Sequence, residues 1–370
     1  MAEETKRKVK APKLADPIAS SIDVASQEMI ARAQKLGVET IFDRAMNMKP
    51  CAIGVQGICC KNCSMGPCRL PLPKGGIEGE DTRKGLCGAT ANTIAARNFV
   101  RMIAGGAAAH SDHGRSVAEV FLSAAKKLTN DYHIKDYDRL LGVAPYLGVA
   151  TTVEVDGEEV DRDLDEIAVE FAEKAMAEWG KPEGELLYAK RAPAALYEKW
   201  KKAGVIPRNI DREIVEIMHR THMGVDQDYK NLMKQGTRAA IGDGWGGSML
   251  ATDMQDILFG TPYPLQADSN IGVMKEDHVN VVIHGHEPVL SEMIVAAAQT
   301  PEMLEYAKSK GANGIQLSGI CCTANEMLQR HGVPPAGNFL QQELVIVTGA
   351  CDAMVVDIQC IMQNLANVAK

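Results

Sequence analysis

The chain has 370 residues, a formal net charge of −8 and 46% hydrophobic residues, a globular composition long enough for two domains. The acidic balance argues against nucleic acid or an anionic membrane surface as the main partner. No apolar run is long enough for a transmembrane segment, and the polar N-terminus lacks the apolar core of a signal peptide, so we expect a cytoplasmic location.

Most of the chain before its last third is predicted to be helical. Residues 1–20 are predicted to form a loose N-terminal tail. Residues 21–260 are predicted to form a mainly helical domain, because apolar residues recur at helical spacing and β-branched alternation is scarce. The clearest helical segments are DVASQEMIARAQKLG, TANTIAARNFVRMIAGG, LDEIAVEFAEKAMAEWG and APAALYEKWKKAG.

The pattern changes after the turn-like segment FGTPYP, and residues 261–370 alternate strands with helices. Strands are predicted at 278–286, 313–320 and 352–360. Strands that alternate with helices indicate parallel pairing in a doubly wound, Rossmann-like sheet. The predicted fold class is therefore α plus α/β, a helical domain followed by a truncated Rossmann-like domain.

Ten cysteines are present, and their clustering indicates metal ligands rather than a disulfide framework. Four of them, here called the cysteine quartet, have the spacing Cys60-x2-Cys63-x4-Cys68-x18-Cys87. Three close thiolates on a loop with glycine and proline, plus a distant fourth, suit a [4Fe–4S] cluster. A structural zinc site is the alternative, although it would usually show two short cysteine pairs.

Cys51 and Cys59 precede the quartet and are too few to hold a cluster alone. A second copy of the chain could supply the missing pair, which would place a cluster on the two-fold axis of a dimer. The alternative is that both are buried thiols without a metal. The spacing does not decide between these interpretations.

A second candidate metal site lies in the predicted α/β domain. His286, Cys322 and Cys360, here called the sheet-edge trio, each follow a predicted parallel strand, at the edge where open α/β sheets bind ligands. One imidazole and two thiolates suit iron, nickel or zinc, although three ligands do not complete a site. Each residue alone would be an ordinary core residue, but their joint placement favours ligation. Cys321 is predicted to support the trio, and Cys351 to be structural.

His110 and His113 lie one helical turn apart in AAAHSDHG. Such a pair could relay protons, because imidazole titrates near neutral pH, or it could be a solvated helix face. The Gly-rich segment IGDGWGGS does not have a phosphate-binding spacing.

Together these motifs resemble the nickel–iron carbon monoxide dehydrogenases of anaerobes. The resemblance covers nearly the whole chain from about residue 25. It rests on segments in the family's order: CAIGVQGICCKNCSMGPCR, GLCGATANTIAARN, AAAHSDHG, HRTHMGVD, ATDMQDILFGTP, VNVVIHGHEP, GICCTANEML and AMVVDIQCIM.

The resemblance implies a homodimer in which Cys51 and Cys59 are the pair that each subunit donates to a shared cluster. The quartet resembles the ligands of the relay [4Fe–4S] cluster, which would place the Fe–S clusters in the helical domain. The sheet-edge trio resembles the first three protein ligands of the catalytic Ni–Fe–S cluster.

The resemblance also implies roles in proton transfer. His110 and His113 resemble the active-site histidine and its proton-relay neighbour, in an order that the sequence leaves open. Asp243 resembles an acidic residue just outside the ligands of the metal. Ser116 departs from the family, because many members continue the histidine run at this helical turn, so a water or another route would carry the proton there.

The implied reaction is the reversible conversion CO + H2O ⇌ CO2 + 2H+ + 2e−, with CO bound by nickel and water held by iron. Electrons would leave through the [4Fe–4S] clusters to a ferredoxin-like acceptor, and an acetyl-CoA synthase or a hydrogenase is a further candidate partner. The family's chain continues for another domain, with three more cysteine ligands and a lysine near the substrate. We therefore expect a fragment, a split gene product or a truncated protein that cannot oxidise CO by itself.

Two other functions stay open from the sequence. The first is an electron-transfer or assembly subunit without catalysis, which would bind iron but not nickel. The second is a hybrid-cluster-type oxidoreductase, although the cysteines at the extreme N-terminus and the glutamate ligands of that class are not evident in this sequence.

Overall fold

The computed structural model of the protein describes residues 16–48 and 50–370. Within this part of the chain there are two compact units. The first is Pro50–Leu258, and the second combines residues 16–48 with Phe259–Lys370. Most of the predicted tail, residues 1–20, lies outside the described residues.

The described residues contain fourteen α-helices and eight strands, and no helix among them is long and apolar enough to cross a membrane. The helices are α1 Val24–Leu36, α2 Ile41–Asn47, α3 Ala91–Ala125, α4 Tyr137–Val143, α5 Leu164–Gly180, α6 Ala194–Ala203, α7 Ile210–Arg220, α8 Tyr229–Gly242, α9 Met249–Phe259, α10 Pro288–Ala298, α11 Pro301–Ser309, α12 Cys321–His331, α13 Gln342–Val347 and α14 Leu365–Val368. The strands are β1 Cys59–Cys60, β2 Cys68–Arg69, β3 Thr152–Val155, β4 Glu158–Asp161, β5 Val279–Gly285, β6 Ile315–Ile320, β7 Pro335–Gly337 and β8 Ala353–Val356.

The first unit is mainly helical and is built around α3, which packs against α5, α7 and α8. Thr90 caps the N-terminus of α3 by accepting a hydrogen bond from the Thr93 amide. Phe121 is fully buried, and its ring lies 5.7 Å from that of Phe171 on α5. Two antiparallel pairs, β1–β2 and β3–β4, were not predicted. Because α3 carries both candidate histidines, its packing fixes their positions within this unit.

A π-helical segment, Asp243–Ser248, joins α8 to α9. Such insertions in helices are frequent at functional sites. The segment lies close to α3, because a Cβ atom on Gly247 would come within 3.3 Å of the His110 backbone. A Cβ atom on Gly114 of α3 would in turn lie 3.0 Å from the Gly247 carbonyl oxygen. These glycines allow the close approach that brings Asp243 to His110.

The second unit contains an all-parallel sheet of order β7-β6-β5-β8. The three predicted strands correspond to β5, β6 and β8, and their parallel pairing is confirmed. The sequence did not predict β7, because it has only three residues and begins with a proline, which usually excludes a strand interior.

Helices cover both faces of this sheet. On one face Val282 of β5 shares a core with Leu344 of α13, and on the other its neighbour Ile283 shares a core with Val295 of α10. Successive strand residues point to opposite faces, so β5 is buried on both. This arrangement leaves the carboxyl edge of the sheet as the place for a site.

The N-terminal helices α1 and α2 belong to the second unit, whereas the sequence prediction placed them in the helical domain of residues 21–260. Ile30 of α1 and Phe42 of α2 are buried in the core that contains Val282 and Leu344. Helical periodicity identified the buried faces of these helices, but it carries no information about which core receives them.

Candidate metal centres

The four cysteines of the quartet lie on the antiparallel strand pair β1–β2 and on two turns. Cys60 of β1 lies directly opposite Cys68 of β2, and Cys63 lies on the turn between them. A Cβ atom on Gly66 of that turn would come within 3.0 Å of the Cys60 carbonyl oxygen, so the turn needs a glycine. Cys87 enters from the turn that precedes α3.

All four quartet thiols line one cavity, as the sequence predicted for ligands of one group. Two buried nitrogen donors line the same cavity, Asn62 Nδ2 and Arg97 Nε. Neither has a hydrogen-bond partner within the described part of the chain. The sequence analysis missed both residues, although Arg97 lies at helical spacing between the buried Ile94 and Val100, which signals a buried arginine.

Hydrogen-bond donors contact two of the quartet thiols, those of Cys68 and Cys87. The Ala89 backbone amide, and next to it the Arg97 guanidinium, lower the pKa of Cys87 below its usual value. The Leu86 amide donates to Cys68 Sγ at 3.5 Å. The thiolate is the form of cysteine that binds metals, so these donors prepare the loop for ligation.

Cys51 is exposed and Cys59 is half-buried. The amide of Gly54 donates to Cys51 Sγ at 3.4 Å, and this contact lowers the pKa of Cys51. Across residues 16–48 and 50–370, no three histidine, cysteine or acidic side chains lie close enough to hold a single metal ion. A role for Cys51 and Cys59 in a shared cluster therefore stays a prediction.

The sheet-edge trio follows three strands that are neighbours in the sheet. His284 of β5 pairs with Ile320 of β6 and with Val356 of β8, so the three strands end at the same level. His286 and Cys322 lie two residues beyond this level, and Cys360 lies four residues beyond it. The structure thus brings the predicted trio to one edge of the sheet.

The trio is joined by Cys321, for which the sequence predicted only a supporting role. Its thiol is half-buried and forms a hydrogen bond with Cys360. Burial, together with Cys360 and Cys322, raises the pKa of Cys321 to about 12. Partial desolvation and Cys360 also raise the pKa of Cys322. This crowding of thiols near acidic groups is a site that a cation would stabilise.

One carboxylate connects the three loops at this edge. Asp357, just after β8, accepts hydrogen bonds from the amides of His286 at 2.7 Å and Glu287 at 3.0 Å. It also accepts from the Thr323 hydroxyl, next to Cys322, at 3.2 Å. Burial raises the pKa of Asp357 despite these donors. Asp357 was missed from the sequence, where its signal is an acidic residue directly after the apolar run AMVV.

The backbone at this edge is unusual at four points. Gly285 has a φ of +147°, and a Cβ atom there would lie 1.4 Å from Asp357 Oδ1, so only glycine fits. Cys321, Gln359 and Cys360 have φ values of +64°, +67° and +61°, in the left-handed region that non-glycine residues rarely adopt. Such conformations concentrate at functional sites.

A buried glutamine holds the Cys360 loop. Gln342 Nε2 donates to the Cys360 carbonyl oxygen at 3.0 Å, and Gln342 Oε1 accepts from the Met362 amide at 2.8 Å. The same oxygen lies 2.9 Å from Nε2 of the buried His284. These contacts fix the turn that presents Cys360 and were also missed from the sequence.

The two candidate proton carriers have different surroundings. His110 Nδ1 lies 2.7 Å from Asp243 Oδ1, and this hydrogen bond raises the pKa of His110. His113 is buried, and its Nε2 lies 2.9 Å from Gln255 Nε2. The structure therefore pairs Asp243 with His110, a contact that was not predicted from the sequence.

Comparisons with known proteins agree with these motifs. The profile of the family described as "Prismane/CO dehydrogenase family" matches residues 58–370. Carbon monoxide dehydrogenase 1 of Methanosarcina acetivorans is 53% identical over 350 residues, which cover 94% of this chain and 54% of the relative. Carbon monoxide dehydrogenase 1 of Carboxydothermus hydrogenoformans is 43% identical over 357 residues, which cover 95% of this chain and 54% of the relative.

Solved structures give the same result. A nickel-free carbon monoxide dehydrogenase from Thermococcus sp. AM4 superposes with a TM-score of 0.87 at 47% identity, covering 100% of this chain and 56% of that one. An acetyl-CoA synthase/carbon monoxide dehydrogenase gives 0.87 at 41% identity, covering 99% and 53%. The chain thus spans about half the length of the curated relatives it matches. The resemblance inferred from the motifs is confirmed, and the chain belongs to the Prismane/CO dehydrogenase family.

Proposed function

We propose that these 370 residues form part of a nickel–iron carbon monoxide dehydrogenase, an enzyme that interconverts CO and water with CO2, two protons and two electrons. The observation that carries this proposal is the placement of His286, Cys322 and Cys360 just beyond the ends of three adjacent parallel strands. The relatives named above are carbon monoxide dehydrogenases, which favours this function over the carrier and hybrid-cluster alternatives.

The quartet fits a [4Fe–4S] cluster better than zinc. A structural zinc site would usually show two short cysteine pairs, whereas the quartet has spacings of two, four and eighteen residues. The buried donors Asn62 Nδ2 and Arg97 Nε also point to an acceptor in this cavity, a role that cluster sulfur can fill.

The sheet-edge trio fits a Ni–Fe–S cluster by its soft donor set and by its charge. Thiolates and imidazole bind nickel and iron well. Cations would offset the crowding of Cys321, Cys322 and Cys360 near Asp357. The chemistry supplied there by the bound cluster is Lewis-acid activation of CO and water and acceptance of electrons. Asp357 and Gln342 hold the ligand loops in place.

We assign His110 as the residue that takes up protons in the reaction. Its Nδ1 lies 2.7 Å from the Asp243 carboxylate, which stabilises the imidazolium that forms when His110 takes up a proton. His113 would be the next carrier, one helical turn away on α3. Ser116, half-buried a further turn along, would need a water to continue the route.

The remaining assignments concern assembly and partners. Cys51 and Cys59 would supply half the ligands of a cluster that a second copy completes, in a homodimer. Electrons would leave to a ferredoxin-like acceptor in the cytoplasm. An acetyl-CoA synthase or hydrogenase is a candidate partner. Pro50–Leu258 would correspond to the cluster-bearing helical domain, and Phe259–Lys370, together with α1 and α2, to the Rossmann-like domain.

Metal content tests the proposal directly. The chain is produced anaerobically with iron, sulfide and nickel supplied, and bound metals are quantified. We expect iron together with nickel, and we expect Cys322→Ser to lower the nickel content. Cys351→Ser is the matched control, because Cys351 is a half-buried cysteine of the same unit whose thiol donates to the Ala353 carbonyl oxygen. Iron without nickel in the parent protein would contradict the assignment and would favour an electron carrier.

A further inference from the structure

Arg97 is one of the largest fully buried side chains, with 1% of its surface exposed. A buried charge normally requires a partner of opposite charge, because its desolvation is costly. No carboxylate in the described residues forms an ion pair with Arg97. Its Nη2 donates to the Asp226 carbonyl oxygen at 3.4 Å, and its guanidinium contacts the Cys87 thiol.

The position of Arg97 explains what could compensate its charge. The side chain lines the cavity of the cysteine quartet, and its Nε has no hydrogen-bond partner among the described residues. Asn62, on the opposite loop, lines the same cavity, and its Nδ2 also has no hydrogen-bond partner among the described residues. An unsatisfied buried donor is costly, so two such donors on residues that line one cavity indicate an acceptor inside it. Four thiolates and the sulfides of a cluster are anionic acceptors.

We propose that Arg97 sets the reduction potential of the cluster held by the quartet, by placing a fixed positive charge and an N–H donor against its sulfur atoms. This inference rests on the proposed function, because a cluster must occupy the cavity. Reduction adds one electron and thus one negative charge to the cluster. A neighbouring cation stabilises that charge, and hydrogen bonds to sulfur act in the same direction. Arg97 therefore raises the potential and makes the cluster a better electron acceptor.

A purely structural role is the competing explanation, in which Arg97 only anchors the turn at Asp226. The two roles differ in what a lysine would preserve. Lysine keeps the charge but has a single nitrogen and lacks the planar guanidinium fork. A charge effect on the potential would survive Arg97→Lys in part, whereas a neutral side chain of similar length would remove it.

The experiment is a redox titration of the full chain in a Cys51→Ser/Cys59→Ser background, which removes the other N-terminal cysteine pair. After anaerobic reconstitution with iron and sulfide, the cluster is titrated with dithionite and followed by electron paramagnetic resonance. Arg97→Met and Arg97→Lys are compared with Arg101→Met. Arg101 lies one turn further on α3 and bonds Thr221, away from the cavity.

We expect Arg97→Met to shift the reduction equilibrium at least tenfold toward the oxidised cluster, which is about 59 mV for one electron. Arg97→Lys should shift it less, and Arg101→Met should leave it unchanged. Equal potentials for Arg97→Met and Arg101→Met, with intact clusters in both, would overturn the inference and leave the proposed function standing. A parent protein that binds no iron or sulfide would instead refute the proposed cluster itself.

A second measurement covers the case in which Arg97→Met fails to assemble. Chain labelled with 15N-arginine is reduced, and pulsed paramagnetic resonance detects nitrogen coupled to the cluster spin. We expect an arginine coupling in the parent that is lost in Arg97→Lys and retained in Arg101→Met. Absence of this coupling in the parent would refute the donor role of Arg97.

Discussion

Asp357 offers the sharpest test of how the sheet-edge site is held together. Its carboxylate faces three donors, the amides of His286 and Glu287 and the Thr323 hydroxyl, and each donor belongs to a loop that also carries a predicted ligand. Asp357→Asn keeps the shape of the side chain but leaves one accepting oxygen. Its NH2 group would then face an N–H or O–H donor and would leave that donor without an acceptor.

The magnitude follows from the contacts that are lost. A hydrogen bond to a charged group contributes about 1.5–3 kcal/mol. The Asp357→Asn side chain would retain one accepting oxygen, so the local free energy of opening should fall by about 1.5–3 kcal/mol. Because a factor of ten corresponds to about 1.4 kcal/mol, amide exchange at His286 and Glu287 should accelerate roughly ten- to a hundredfold.

Hydrogen exchange of the metal-free chain, read by mass spectrometry on peptides that span the end of β5, measures this opening. Asp352→Asn is the matched control, because Asp352 Oδ2 accepts from the Asn280 amide at 2.7 Å, near the other end of β5. That variant should leave exchange at His286 and Glu287 unchanged. If Asp357→Asn also left it unchanged, or if both variants accelerated it equally, the carboxylate would not hold these loops.

Two further predictions concern the first unit. Asp243 holds the pKa of His110 above its usual value, so this pair contributes stability that is fully present below the unfolded pKa of about 6.5 and is lost as pH rises through the folded pKa. In Asp243→Asn the His110 pKa, followed by NMR, should fall, and an unchanged value would exclude the pairing. Gly246→Ala would place a Cβ atom 2.4 Å from Ile210 Cγ1, and we expect a loss of about 1–3 kcal/mol in thermal unfolding. Gly244→Ala, with open space around its Cβ position, is the control and should not destabilise the unit; equal Tm values for the two variants would contradict the packing.

The positions of the residues proposed for both metal centres were accessible from the sequence, because each set depends on local pattern. Thiol spacing over a few residues specified the quartet, whose members do line one cavity. Strand alternation placed His286, Cys322 and Cys360 at one edge, since parallel strands end together. Neither inference required knowledge of how distant segments pack.

The residues that support these centres were less accessible, because their roles depend on tertiary contacts. Gln342 is one of several polar residues around the start of α13, and only its contact with Cys360 reveals its role. Ile30 is buried in the sheet core because the N-terminal helices pack in the second unit, and this packing is a tertiary contact. Arg97 was partly accessible from the sequence. Its position on the apolar stripe of a helix could be read from the sequence, but the cavity that it lines could not.

The two proposed centres differ in the charge that this chain places around them, and the difference bears on how readily each would be reduced. At the quartet, Arg97 is a fixed cation, and buried donors lie on residues that line the cavity. At the sheet edge, Asp357 and Glu326 are acidic groups close to the thiols of Cys321 and Cys322. Added negative charge is stabilised in the first environment and opposed in the second. The polypeptide's own charges therefore favour the reduced form of a cluster at the quartet more than the reduced form of a cluster at the sheet edge.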